Sequence, residues 1–415
     1  MDRVIRTDKE TIRLTNIWIA LSVYSGIGLL GSWFPALGKI TLPCLVLSVL
    51  TTVLTIVTSI RWKGHDRDRR PTVLIVMLAL WMAEMYLTSG LQTLWWVNYI
   101  KQYDFISYTW IWVLFLPQLS LLKAFFRSIE AISYVALLMV ALSLSKYTGN
   151  AYMQFLCEGF TLGAGLVVLT QRYHERRVTI LCYIVLVLGF LTATIHARRN
   201  LMLTSGCYML VAGCQLIFGT LIKSAQTRFL VLMTVMFALI CSTGFYMANN
   251  RGIFGKITSR FSDNTREYVY LHFAADFNDH PTDLITGRSM KGTYECGGVE
   301  GEDGNGGQRD VVECGYLNNI LKGGFVYLLL YMSTMIAAMR RGFRCHNALG
   351  KASAWMLLFQ MTDMVYFGIH SFNLKSYMLW MLVAICFNRT LMQKTDDELR
   401  NMLYAPKPEL PKWKQ

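Results

Sequence analysis

Residues 249–324 read NNRGIFGKITSRFSDNTREYVYLHFAADFNDHPTDLITGRSMKGTYECGGVEGEDGNGGQRDVVECGYLNNILKGG, the one long polar stretch in a chain otherwise built of apolar runs. Nine such runs precede it and three follow, so its reading decides how the chain is organised. A connection of this length is uncommon unless it carries out a task of its own. Arg288 and Arg309 lie in it, with Glu295 and Glu313 nearby, and chemistry is sought there first.

The flanking runs set the fold class. The chain has 415 residues, 54% of them hydrophobic and 16% charged, whereas a soluble domain carries about 25% charged residues. Runs of roughly 17–25 apolar residues match the length that crosses about 30 Å of hydrocarbon. Backbone in hydrocarbon must satisfy its own hydrogen bonds, so the runs are read as helices. The expected spans are 14–33, 40–60, 72–96, 108–122, 129–144, 152–171, 178–195, 201–222, 229–247, 317–339, 353–370 and 376–387. The fold class is therefore an all-α polytopic membrane protein of about twelve transmembrane helices, with one large loop before the tenth. It divides into a nine-span bundle (1–248), the loop (249–316), a three-span bundle (317–392) and a tail (393–415). The opening MDRVIRTDKETIR followed by an apolar run has the form of a signal peptide, and the eleven later spans favour an uncleaved anchor.

The net charge of +14 is explained by topology and calls for no nucleic acid. With the N-terminus inside, the segments 1–13, 61–71, 121–130, 172–177, 222–228, 340–352 and 389–415 hold 26 of the 40 Lys and Arg residues, as the positive-inside rule demands. The long loop then lies outside the cytoplasm, and Cys296 and Cys314 within it either pair as a disulfide or remain free thiols. One external link breaks the rule, His196-Ala197-Arg198-Arg199-Asn200. A misplaced arginine pair costs insertion energy and calls for a pairing or functional reason.

Each candidate residue has a structural reading beside the functional one. Arg288 follows a turn glycine in Ile285-Thr286-Gly287-Arg288-Ser289, and a guanidinium offers a fixed fork of donors for two oxygens of a phosphate. Arg309 and Glu313 share a face if their segment is helical. They are then an ion pair, or an anion-binding arginine beside a carboxylate that takes a proton. Arg198 and Arg199 sit where a lipid-linked phosphate would lie, or else snorkel to the headgroups. Lys322, one turn into the tenth span, assists an anion or snorkels. Glu84, Glu158 and Asp363 fall inside spans, where acids are costly unless paired or solvated. Residues 297–307, with six glycines, form a tether or lid. Residues 269–277 are at best weakly helical, with Tyr268, Phe273 and Phe277 available to the membrane surface. His272 and His280 lack a third ligand at useful spacing, so no metal site is expected. No cofactor motif is present either. Several extracytoplasmic cations, a membrane-edge position and a flexible lid together suit a lipid diphosphate.

The segment 286–331 resembles the end of the large periplasmic loop in the O-antigen polymerase and ligase family. The resemblance rests on Gly287-Arg288-Ser289, Arg309, Glu313-Cys314-Gly315-Tyr316-Leu317 and Ile320-Leu321-Lys322-Gly323-Gly324-Phe325. The topology is similar too, and Ala197-Arg198-Arg199 stands where the family has an arginine, often in a Ser-Arg setting. The resemblance is specific over about 45 residues and architectural elsewhere. It implies a GT-C-like membrane glycosyltransferase of the bacterial inner membrane. The implied reaction is inverting and metal-independent, with undecaprenyl-diphosphate-linked glycans as donor and acceptor. A chain-length regulator protein is an implied partner. Arg198 or Arg199, Arg288 and Arg309 would hold the departing diphosphate, with Lys322 and Tyr316 as further substrate contacts and Glu313, or else a histidine, as the proton acceptor. Ligases of the family carry a histidine late in the loop, and none occurs here between Pro281 and Arg344. That favours an enzyme extending O-antigen or another surface polysaccharide over one that transfers finished chains to the lipid A core of lipopolysaccharide. A transporter of lipid-linked sugar is the alternative from another class.

Overall fold

A computed structural model describes residues 69–89, 119–143, 151–195, 199–221, 265–296, 307–366 and 374–404. The described chain is mostly helical. In order, the helices are α1 (Arg69–Thr88), α2 (Leu119–Ser143), α3 (Ala151–Leu169), α4 (Arg176–Ile195), α5 (Arg199–Leu221), α6 (Thr265–Asp279), α7 (Asp283–Thr286), α8 (Gly315–Arg344), α9 (Ala348–Tyr366), α10 (Leu374–Phe387), α11 (Arg389–Gln393) and α12 (Asp396–Tyr404). A two-stranded antiparallel ribbon, β1 (Tyr294–Glu295) and β2 (Gln308–Arg309), pairs Tyr294 with Arg309 and Glu295 with Gln308.

These twelve helices are not the twelve expected spans. Among the described residues, two stretches are long and apolar enough to cross a membrane, Arg176–Thr194 with mean hydropathy 2.0 and Gly315–Arg344 with 1.6; shorter apolar helices include Val73–Thr88, Gly159–Leu169 and Met378–Phe387. Spans 14–33, 40–60 and 229–247 lie outside the described residues, as do most of 108–122 and all of 297–306. Where both exist, expected spans and helices coincide closely, with one correction. Residues 121–130, read as a link, are helical within α2. Lys123 and Arg127 interrupt the apolar run in sequence, but Leu122, Phe125 and Phe126 are buried and continue an apolar face.

The bundle core gathers side chains from α1–α5 and α8–α10. At one end, segments separated in sequence converge. The Tyr173 hydroxyl donates to Asp396 Oδ1, the Ala348 N–H donates to the same oxygen at 2.7 Å, and Arg172 lies 3.6 Å from Asp396 Oδ2. Burial and the neighbouring Asp396 carboxylate push the Tyr173 phenol pKa up. Asn347 Nδ2 donates to Leu391 O and Lys394 O, and His174 Nδ1 lies 2.8 Å from Glu130 Oε1. A reciprocal capping box starts α12: Thr395 N–H donates to Glu398 Oε2 and Glu398 N–H to Thr395 Oγ1. Three acidic residues occupy its first turn, where the helix dipole favours negative charge.

The described parts of the long stretch, 265–296 and 307–314, form a small unit at the opposite end. Val269, Phe273, Phe277, Tyr294, Cys296 and Val312 close a second core over Ile320 and Leu321 of α8. The segment 269–277, expected to be weakly helical, lies within the fifteen-residue α6. Phe273 and Phe277 are buried against each other at a 4.4 Å ring separation, and Tyr268 alone of the three expected surface aromatics is exposed. Burial at four-residue spacing stabilises this helix, a tertiary effect that propensity does not register. Cys296 and Cys314 are free thiols.

Candidate functional site

Arg288 is the hub of the loop unit. Its Nη1 and Nη2 donate to Asp276 Oδ2 and Oδ1 at 2.6 and 3.0 Å, its Nε to Asp283 Oδ2 at 2.7 Å, and Nη1 again to Thr293 O at 2.8 Å. The guanidinium carbon sits 4.5 Å from the centre of the Phe277 ring. Asp276 also accepts from the Glu295 N–H at 2.9 Å, and His280 Nδ1 is 3.7 Å from its other oxygen. Burial raises the Asp276 carboxyl, but the Arg288 hydrogen bonds, the Glu295 N–H and the Arg288 charge together outweigh it and hold the group below the usual carboxylate range. Arg288 is raised above its ordinary value, chiefly by its hydrogen bonds to Asp276. Arg288 was expected to offer its fork to a phosphate. Four of its N–H directions are instead taken by the loop itself, joining α6, α7 and the residue before β1 around one charge.

The unit is seated in a break in α8. Gly324 has φ +67° within that helix, and Gly287 has φ +75° in the loop opposite. A break frees backbone groups that must find other partners. The Leu321 carbonyl accepts the Arg288 N–H at 2.8 Å, and the Gly323 carbonyl accepts Trp81 Nε1 from α1 at 2.9 Å. Lys322 is fully buried, and its Nζ donates to Met290 O and Gly292 O at 3.1 Å each. The Met290 N–H donates to Ser89 Oγ just beyond α1. Lys322, expected to assist an anion or snorkel, therefore holds residues 290–292 onto the bundle.

The other expected residues are distributed around this seat. Arg309 belongs to β2 and helix α8 begins only at Gly315, so Arg309 and Glu313 do not share a helical face. Both are partly buried. The Tyr316 hydroxyl donates to Met361 O at 2.7 Å and Cys314 Sγ lies 3.7 Å from Met364 O, fixing the loop exit against α9. Arg198 lies outside the described residues, and Arg199 is the first residue of α5.

Beside that start lies a small cavity of about 10 Å³, room for about one water molecule, among α3, α5, α9 and α10. Thr161, Leu162, Asn200, Thr204, Tyr208, Gln360, Asp363 and Lys375 line it. Asp363 is 1% exposed, and its Oδ2 accepts from Lys375 Nζ at 2.5 Å. Asp363 was expected to be paired or solvated; its partner is Lys375. Glu84 is exposed on α1 among the described residues, and the Glu158 side chain lies outside the described set.

Sequence reading missed Asp276, Asp283, Trp81 and Lys375. Asp276 and Asp283 are seven apart on separate helices, with no periodic signal to join them. Lys375 resembled any basic residue flanking a span. No family model and no curated protein matches the chain's sequence.

Proposed function

We propose that the chain is a membrane glycosyltransferase of about twelve spans in the bacterial inner membrane, its long loop periplasmic. It extends oligosaccharide repeat units carried on undecaprenyl diphosphate. Support comes from one placement. The loop exit at Cys314–Tyr316 contacts α9 at Met361 and Met364, beside Asp363, which shares the cavity with Asn200. Arg309 and Glu313 thus belong to the same end of the bundle as Arg199. In this reading Arg309 and Arg198 or Arg199 are the cations that would meet a diphosphate leaving group.

In this reading an acceptor hydroxyl attacks the anomeric carbon of the donor sugar from the face opposite the diphosphate. The new C–O bond forms as the bond to the diphosphate oxygen breaks, and its electron pair leaves with the diphosphate. The hydroxyl proton passes to Glu313. Arg309, with Arg198 or Arg199, opposes the charge growing on the leaving group, which favours the transition state over the ground state. Arg288 positions the loop and does not touch substrate.

Purified protein in lipid nanodiscs, given lipid-linked repeat units, tests this. Wild type yields a polymer ladder, and Arg309→Ala lowers the rate by about 10²–10³-fold, the usual effect of removing one oxyanion donor. Unchanged ladders from both Arg309→Ala and Glu313→Gln overturn the reading. Transfer only to lipid A core assigns the ligase reaction instead. The buried Asp363–Lys375 pair favours a second reading, a lipid-linked sugar transporter. That reading expects export of single repeats to depend on Asp363 and to tolerate Arg309→Ala.

A further inference from the structure

Asp363 lies within the expected span 353–370, is 1% exposed, and accepts from Lys375 Nζ at the start of α10. Attraction between two buried charges does not by itself offset their desolvation; a buried pair persists when further hydrogen bonds serve its lone pairs and protons. A carboxylate has about four acceptor sites and an ammonium three donors, so the single bond between them satisfies neither group alone.

The cavity beside the pair has the size and the lining to meet that need. Its volume of about 10 Å³ is that of one water-sized sphere, and a water held inside a protein needs two to four polar partners. Thr161, Asn200, Thr204, Tyr208 and Gln360 line it together with the pair. Asn200, Thr204 and Tyr208 recur every four residues and so share one face of α5. Thr204 Oγ1 donates to Asn200 O at 2.9 Å, so toward the cavity it accepts. Lys375 and the amide groups of Asn200 and Gln360 offer donors. The lining therefore calls for a guest that both donates and accepts. An apolar guest would strand these groups, and a metal cation would stand beside the Lys375 charge.

We propose that this cavity binds one ordered water, which bridges the Asp363–Lys375 pair to α5. The water donates to Asp363 and Thr204 Oγ1 and accepts from an amide N–H, keeping both ions hydrogen-bonded within the bundle. It also ties the start of α5, where Arg199 precedes Asn200, to α9 and α10. The inference goes beyond the transfer reaction and does not depend on it.

X-ray radiolysis of detergent-solubilised full-length protein in ¹⁸O-labelled water tests this. Bound water is split in place, and mass spectrometry locates the oxygen left on neighbouring side chains. Tyr208 and Leu162 line the cavity but are each 3% exposed, so they are shielded from radicals formed in bulk solvent. Trp380, 1% exposed and not part of the lining, is the internal control. Tyr208 should be labelled well above Trp380 in the wild type. Asn200→Leu and Gln360→Leu preserve size and remove the amides; each should lower the labelling, and the double variant should reduce it to the Trp380 level. Thr204→Val, a gentler change, should lower it too, and decides the matter if thermal unfolding shows that the double variant is not folded. Wild-type labelling of Tyr208 and Leu162 no greater than that of Trp380 overturns the inference, as does labelling unchanged in the folded variants. Loss of Tyr208 labelling when potassium in the buffer is exchanged for sodium also overturns it, because the guest would then be a cation.

Discussion

Gly287 and Gly324 face each other so closely that neither tolerates a side chain. A Cβ on Gly287 would stand 2.5 Å from the Gly324 nitrogen, and one on Gly324 would stand 2.1 Å from the Ile285 carbonyl oxygen. Both have positive φ, a conformation that costs other residues about 1–3 kcal/mol before any clash. The obstructing atoms are backbone, which cannot swing aside. The loop and the helix break are therefore one interlocked feature.

Gly287→Ala and Gly324→Ala should each release the loop unit, read as faster proteolysis between 265 and 296 in detergent-solubilised protein. Gly213→Ala is the control. A Cβ there meets nothing within 4 Å, and alanine in a helix interior gains about 0.5–1 kcal/mol over glycine. Equal protease resistance in all three variants would show that the interlock does not hold the loop.

Arg288→Lys should release the loop nearly as fully as Arg288→Ala. A single ammonium cannot reach both Asp276 oxygens and Asp283 together, and the Phe277 face loses its planar partner. The side chains are 17% exposed for Arg288 and 10% for Asp276, so removing the charge leaves a partly buried carboxylate without its partner, at about 1–3 kcal/mol. Asp276→Asn should lose less, because an amide still accepts one bond. A lysine variant as protease-resistant as wild type would mean that the fork geometry is unimportant.

The helices and the loop's importance were legible in the sequence because both are written in long runs. Apolar stretches near twenty residues predict helices at 178–195 and 317–339, and α4 and α8 follow. The Lys-Gly-Gly run drew notice beside Arg288, and the structure joins the two through the Leu321 carbonyl. The carboxylates that hold Arg288 were not legible. Glu295 and Glu313 are nearer the arginines in sequence than Asp276 is to Arg288, yet chain reversal between α6 and β1 sets Asp276 beneath the guanidinium. The start of α8 at Gly315 lies close to the expected 317, and the condition for Arg309 and Glu313 to share a helical face is not met, for a related reason. Arg309 and Glu313 have helical spacing, but residue 309 is held by the β1–β2 ribbon, an interaction with residues fifteen positions back that no local pattern reveals.

Acid should loosen the loop only at low pH. The Asp276 carboxyl is held below its ordinary value by Arg288. A group with a depressed folded pKa stabilises fully above its unfolded pKa, about 3.9 for Asp, and loses that contribution as pH falls through the folded value. Amide hydrogen exchange across 265–296 should therefore match at pH 7 and pH 5 after correction for intrinsic rate. Protection should fall progressively below about pH 4. Loss of protection already between pH 7 and 5 would show that Asp276 does not govern the docking.

The two ends of the bundle should lie on opposite sides of the membrane. One end joins residues 172–174, 347–349 and 391–396, drawn from three segments that the charge count assigns to the cytoplasm. The other carries the loop unit, tied to Ser89, Met361 and Met364. Lys291 and Glu398 are exposed at these two ends. Lys291→Cys should react with a membrane-impermeant maleimide in intact spheroplasts, above the wild-type background. Glu398→Cys should react only after permeabilisation. The proposed transfer requires a lipid-linked diphosphate sugar to meet Arg309 on the same side as its acceptor, so labelling of both cysteines from one side would remove the topology on which that proposal depends.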